Sequence, residues 1–192
     1  VVVATTDGRA FYELVSLLRR IGVPFSAHLP WEQFQATLVL TTRGEMVAEG
    51  DRNILYYEDM TGDDVIDSAM ILSSASRGRE ELLVGVDPGR RIGVVVHYKG
   101  ILVHEGVYGN PAAVASLLRR LLALRANTRT LKVGFGNPGM AYAIIREASD
   151  LLGDYVLELV DERNTTGGGM RMRRDVEAAL RISRRRGRAI DA

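Results

Sequence analysis

The sequence predicts an α/β protein in two parts, a small and mostly parallel α/β unit over residues 1–76 and a mixed sheet over residues 77–192. Three observations predict it. In the first part apolar runs alternate with an amphipathic stretch, which favours parallel strands joined by right-handed crossovers. The stretch "SRGREE" at 76–81 is polar, charged and broken by glycine, as a domain boundary is. Beyond it three strands follow one another across short turns before helices and strands alternate, giving the order β-β-β-α-β-α-β-α.

Each element has its own signal. "VVVATT" is a continuous apolar strand, and Thr6-Asp7 caps the helix after it. That helix, "GRAFYELVSLLRRIG", sets Phe11, Leu14, Val15 and Leu18 on one face and ends at Gly22. "VPFSAHL", "TLVLTT" and "NILYYED" read as further strands, with Trp31 and Phe34 as core residues between the first two. "TGDDVIDSAMILSSASR" reads as a helix with a Thr61 cap and acids in its first turn.

In the second part, strands at 82–86, 92–97 and 101–108 form an antiparallel meander that turns at Lys99-Gly100. That turn would set His97 and His104 on one shared face, as surface residues. Pro111 opens the helix "NPAAVASLLRRLLALRA". "LKVGFG", "NPGMAYAIIREASDLL", "DYVLELV" and "DVEAALRISRR" then read as strand, helix, strand and helix. This is the order of elements in the ribonuclease H-like fold, which by itself fixes no activity.

Composition narrows the function classes. A formal net charge of +1 gives no global argument for nucleic acid, but Lys99 and Lys132 are the only lysines, so arginine supplies 23 of the 25 basic side chains. Arginine is the better fork for phosphate oxygens, and many of these arginines lie near the end, in "MRMRRDVEAALRISRRRGRAIDA". The lack of cysteine excludes disulfide staples and thiolate chemistry. No apolar run approaches the ~20 residues of a membrane span, and no signal peptide is visible, so the expected location is the cytoplasm. A start at Val1 and an abrupt stop at Ala192 raise the expectation that both ends are trimmed.

The residues that carry chemistry begin with Asp87-Pro88-Gly89, at the end of a strand in "VGVDPGRRIGVVV". Asp-Pro-Gly is good turn chemistry, yet a plain hairpin would do as well with Asn-Gly and needs no carboxylate. A second reading is a metal ligand. Metal-assisted phosphodiester hydrolysis uses two divalent ions about 4 Å apart, and magnesium takes hard oxygen ligands such as carboxylates. "VDERNTT" puts Asp161 and Glu162 just after the last strand, at the same edge as Asp87 if that strand runs parallel to the first. A third acid must come from the C-terminal helix or the loop before it, where Asp175, Glu177 and Asp191 are the candidates. Asp7, at a strand end, reads as a helix cap rather than a second-site acid.

Here the chain resembles a known group. "VGVDPGRRIGVVV" is similar to the opening motif of RuvC-type Holliday-junction resolvases and their YqgF relatives, and "VDERNTT" resembles the YqgF signature Asp-Glu-Arg-x-Thr-Thr. "VGFGNPG" is similar to the Gly-x-Pro step after the fourth strand of YqgF proteins, and "RRRGRAIDA" resembles the basic stretch and aspartate that open their last helix. The matches span residues 82–192 in family order; residues 1–76 match nothing in it. The chain departs from the RuvC branch at Gly136-Asn137-Pro138, where that branch has a glutamate, and its loop "GGGMRMRR" is longer than usual.

The resemblance implies a ribonuclease H-like fold and a nuclease that acts on structured or branched DNA or RNA, with Mg2+ or Mn2+ as cofactor. It implies that Asp87 and Glu162 are metal-binding carboxylates and that Asp191 is the third. Asp175 is the substitute, because "DVEAAL" echoes the Asp-x-x-Ala-Ala pattern of the family's final helix. Arg90, Arg91, Arg163, Thr165, Thr166, Arg171, Arg173, Arg174, Arg184, Arg185 and Arg186 would contact the phosphate backbone without reading sequence. Thr165 and Thr166 are equally capping residues, and Gly167-Gly168-Gly169 reads either as a phosphate nest or as a linker. A homodimer would suit a junction-cutting enzyme. The alternative is a non-catalytic module that binds nucleic acid or protein on the same fold. An actin-like ATPase also begins with an Asp-x-Gly turn, but needs a second phosphate-binding hairpin and a far longer chain.

Overall fold

The computed structural model describes residues 1–47, 53–161 and 171–190, of which 171–173 and 190 are described as backbone. It is α/β and divides into two compact units, Val1–Gly78 and Arg79–Ala192. No helix among the described residues is long and apolar enough to cross a membrane.

In the first unit β1 (Val2–Ala4), β2 (Ser26–His28), β3 (Leu38–Thr41) and β4 (Asn53–Tyr56) make a parallel sheet in the order β2-β1-β3-β4. β1 and β3 are buried at every position and so read as continuous apolar runs. α1 (Gly8–Arg20) follows β1, with the Asp7 carboxylate taking the amides of Arg9 and Ala10. Its buried set is Ala10, Leu14, Val15, Leu17 and Leu18. Phe11, expected on that face, is 37% exposed. α1 gives way at Gly22, whose φ of +66° only glycine adopts cheaply.

α2 (Asp64–Ala75) is capped by Asp63, not Thr61. Thr61 lies too far before the first helical residue to reach its amides. Its amide and hydroxyl instead donate to Asp67, a buried carboxylate that also takes the Gly62 amide. Trp31 is 68% exposed and is not core. Phe34 alone of the expected pair packs inward, beside Ala36 and Val47 against Val2, Ala4 and Val39.

At the carboxyl rim of this sheet, Glu45 reaches back from the turn after β3 to the amide and hydroxyl of Thr6 and to the hydroxyl of Thr42. Burial pushes the Glu45 carboxyl up. The hydroxyls of Thr5, Thr6 and Thr42 and the Thr6 amide outweigh that and hold it at about 2.

The second unit is a mixed sheet of six strands in the order β10-β9-β8-β5-β6-β7. β5 (Glu81–Pro88), β6 (Ile92–Tyr98) and β7 (Ile101–Tyr108) form the antiparallel meander. Lys99 and Gly100 both have positive φ, at 51° and 79°, the geometry a two-residue hairpin turn requires. β8 (Thr128–Gly134) pairs parallel with β5, and β9 (Val156–Val160) pairs parallel with β8. α3 (Pro111–Leu121) and α4 (Pro138–Glu147) each begin with an Asn cap followed by Pro, at Asn110 and Asn137. They pack on each other and reach β7 and β5 respectively. Two buried tyrosines spend their hydroxyls on carbonyls, Tyr98 on Arg125 and Tyr155 on Leu118, and burial pushes the Tyr155 phenol up.

α5 (Arg171–Arg184) lies across the sheet on glycines. A Cβ on Gly93 would stand 2.1 Å from the Asp175 carbonyl oxygen, and one on Gly85 would stand 2.7 Å from the Ala179 carbonyl oxygen and from Ser183 Cβ. Helix backbone therefore rests almost directly on strand backbone. At the far end of α5 the Lys132 ammonium donates to the Arg185 carbonyl and pairs with Glu158 at 3.4 Å. That cation suits the negative end of the helix dipole.

The last turn of the chain differs from the expectation. The stretch expected to open a final helix instead forms β10 (Arg188–Ile190), antiparallel to β9. Gly187 makes this fit: its amide donates to Glu158, and a Cβ there would meet the Glu158 side chain at 2.7 Å. The free edge of β9 supplies the backbone partners that a helix would have left unpaired.

Two outcomes test this packing. Gly93→Ala is expected to cost at least about 3 kcal/mol, read as a fall in the urea midpoint, because the obstacle is backbone. Gly109→Ala, with nothing within 4 Å and no positive φ, is the control and should move the midpoint little. For Glu45, a carboxyl held at about 2 against a usual 4.5 binds fewer protons folded than unfolded. Its contribution is full above about pH 4.5 and is lost as pH falls through about 2. At this solvent-screened rim it is on the order of 1–2 kcal/mol, and Glu45→Gln should flatten the acid limb of the stability curve by that amount.

Candidate functional site

The carboxyl ends of β5, β8 and β9 share one edge of the second sheet, because the three run parallel. Asp87 is the penultimate residue of β5 and half-buried, and its carbonyl accepts from the Gly89 amide at 3.0 Å. Asp161 follows the last residue of β9 and is exposed. One strand, β8, stands between β5 and β9, so their backbones lie about 10 Å apart.

The pleat decides which face Asp87 presents. Asp87 pairs with Gly93 and Gly85 pairs with Val95, and residues paired across strands share a face. Gly93 and Gly85 meet α5, so Asp87 lies on the α5 face, one cross-strand step from the backbone of Asp175. Asp175 thus belongs to the same corner as Asp87. Its carboxylate is partly buried and stands 3.9 Å from the Arg91 guanidinium.

Asp191 lies outside the described residues. Ile190, just before it, pairs with Leu157, near the start of β9, so the described backbone of β10 runs away from the rim where Asp87 and Asp161 sit. Of the three residues considered for the third acid, Asp175 is the one whose backbone is seated beside Asp87, on Gly93, and Glu177 is exposed. Glu162, Arg163, Thr165, Thr166 and Gly167–Gly169 also lie outside the described residues, as do the side chains of Arg171 and Arg173.

Arg90 and Arg91 follow the Asp87 turn and are exposed. With Arg174 and Asp175 they line an open cavity of about 700 Å³. The basic residues at the other end of α5 are not part of it. Arg185 donates to the Asp161 carbonyl at 2.9 Å, and Arg184 and Arg186 are exposed. Arg184 acts instead on His97, whose ring is held below its usual pKa first by burial and then by this guanidinium.

His97 and His104 do not share a face. A bulge between Val96 and His97 pairs His104 with Val96 and His97 with Leu102, which puts the two rings on opposite sides of the sheet. His104 contacts the Tyr108 hydroxyl at 2.8 Å. Neither histidine joins the carboxylate corner.

Among the described residues no group of three or more His, Cys, Asp or Glu side chains is arranged to hold a metal ion. In kind, Asp87 at a strand end and Asp175 on α5 suit a hard divalent cation; of the implied set Asp87, Glu162 and Asp191, the last two lie outside the described residues. No protein-family model, curated protein or solved structure matches the chain.

Proposed function

We propose that the second unit is a ribonuclease H-like, metal-dependent nuclease that works on structured DNA or RNA in the cytoplasm. The observation that carries the reading is the seating of the Asp175 backbone on Gly93, the cross-strand partner of Asp87, with Asp175 lining a cavity beside Arg90, Arg91 and Arg174. The strand order supports the fold: read from β7, the sheet runs third, second, first, fourth and fifth strand, with parallel pairing on the fourth and fifth alone.

In this reading Asp87, Asp175 and Glu162 hold the divalent cation, Mg2+ or Mn2+. When bound, the cation supplies a water acidic enough to attack at neutral pH. The chain's own residues do the rest. Arg90, Arg91 and Arg174 take the phosphate backbone on the cavity side without reading bases. Gly89 adds no side chain to the turn beside Asp87, while Gly93 lets α5 carry Asp175 close to it. Arg91 has a second partner in Asp175 and moves between that carboxylate and the incoming phosphate.

A second reading rests on the open cavity itself, which Arg90, Arg91 and Arg174 line with Asp175 as its one acid. It is a module on the same fold that binds nucleic acid and cuts nothing.

Cleavage of branched DNA and of structured RNA, assayed with Mg2+ and with Mn2+, separates the two. Asp87→Asn and Asp175→Asn are each expected to slow cleavage at least ~100-fold with unchanged circular dichroism. Arg90→Ala and Arg174→Ala should weaken binding and flatten its salt dependence by roughly 0.9 in log–log slope per lost phosphate contact. Salt-dependent binding by the wild type without cleavage in either metal would establish the second reading.

A further inference from the structure

A second cavity lies beside the arginine-lined one, between β7 and α5. It holds about 590 Å³, within the ~300–1,000 Å³ of small-ligand sites. Val107 on the strand and Val176 and Leu180 on the helix make its apolar walls, and Glu105 and Glu177 are its acids. The register accounts for the strand side. Val107 pairs with Gly93 and Glu105 with Val95, so both lie on the face that α5 covers. α5 closes on Gly85 in β5 and Gly93 in β6, and β7 is the outermost strand beyond them. Val107, Val176 and Leu180 are accordingly only half-buried, and both glutamates are exposed.

Two observations point to a ligand. Arg91 lines both cavities, so one molecule can reach from the first into the second. The acids are also uncommitted: among the described residues neither Glu105 nor Glu177 takes part in a hydrogen bond or an ion pair.

The charges decide which part of a nucleic acid goes where. Two carboxylates repel phosphate, which belongs with Arg90, Arg91 and Arg174 next door. An apolar slot edged by free carboxylates suits a flat ring with N–H donors along its rim. Guanine alone among the bases sets two neighbouring donors, N1 and N2, on its Watson–Crick edge. Adenine and cytosine carry a lone-pair nitrogen beside the amino group, and thymine and uracil flank their one N–H with carbonyls, so each turns an acceptor toward a carboxylate.

We propose that this cavity is a guanine subsite. An unpaired guanine, from the strand whose phosphate lies against Arg91, enters between Val107 and the apolar side chains of α5. Its one N1 hydrogen and two N2 hydrogens are shared by the Glu105 and Glu177 carboxylates. The inference rests on the reading that nucleic acid lies on the arginine-lined cavity, but not on cleavage. Those arginines hold the backbone and read no base, so base preference arises on this side alone.

Binding of the intact chain to fluorescent DNA and RNA stem-loops, followed by anisotropy in Ca2+ and in EDTA, tests it. The probes differ in a single unpaired base. Guanine should bind at least ~10-fold more tightly than adenine, cytosine or thymine, as a good two-bond base contact does, with inosine, which lacks the N2 amine, between. Guanosine 5′-monophosphate should compete more weakly than the guanine probe; equal competition would overturn the strand as the ligand. The double variant Glu105→Gln, Glu177→Gln should bring guanine and adenine to within ~2-fold of each other, because its amides turn donors toward donors while the lost negative charge helps every probe alike. Salt-dependent binding by the wild type with no base preference would overturn the subsite and leave the nucleic-acid reading standing. A guanine preference that the double variant keeps would do the same. Failure to bind any probe would overturn both.

Discussion

The second unit depends on one contact, the seating of α5 on Gly85 and Gly93. Any side chain at either position would enter the helix backbone, so the sheet must present bare glycine there. That closeness fixes where the helix can lie, and with it which residues of the helix reach the carboxyl rim. Asp175 is brought to Asp87 by packing rather than by attraction between them, which two carboxylates lack. A site built this way has its geometry set by the fit of helix to sheet.

Much of the fold was legible in the sequence because the signals were local. Apolar runs, Asn-Pro caps at 110 and 137 and the Lys99-Gly100 turn each announce themselves within a few residues. The misreadings came from signals with a non-local answer. Thr61 looks like a cap until Asp67, a turn into the helix, claims its hydroxyl. Arg188–Ile190 has no strand signature in three residues, and only the open edge of β9 makes it one. Trp31 was expected in the core by its size, and composition cannot tell a buried indole from one left at a rim.

The candidate site was legible to a lesser degree. Asp87 stood out because an acid ends a buried strand, whereas Asp175 entered only as the substitute for Asp191, through the resemblance of "DVEAAL" to the final-helix pattern of YqgF proteins. What the sequence did not carry was the choice between Asp175 and Asp191. Gly93 seats the Asp175 backbone beside Asp87 and Gly187 fits β10 against β9, while Asp191 itself lies outside the described residues. The Glu45 contact of the first unit was invisible for a related reason. Thr6 belongs to one stretch and Thr42 and Glu45 to another, and only the parallel sheet brings the two together.

The two ends of α5 are fastened by different forces. Its final turn is gripped by an ammonium, a carboxylate and the Gly187 amide acting together around Glu158. Its opening turns meet the sheet where Asp175 closes on Gly93 and pairs loosely with Arg91. Amide exchange with solvent should therefore be graded along the helix, slowest near Ser183 and fastest toward Asp175. The corner that carries the acids is the part of the helix best able to breathe without unfolding the unit.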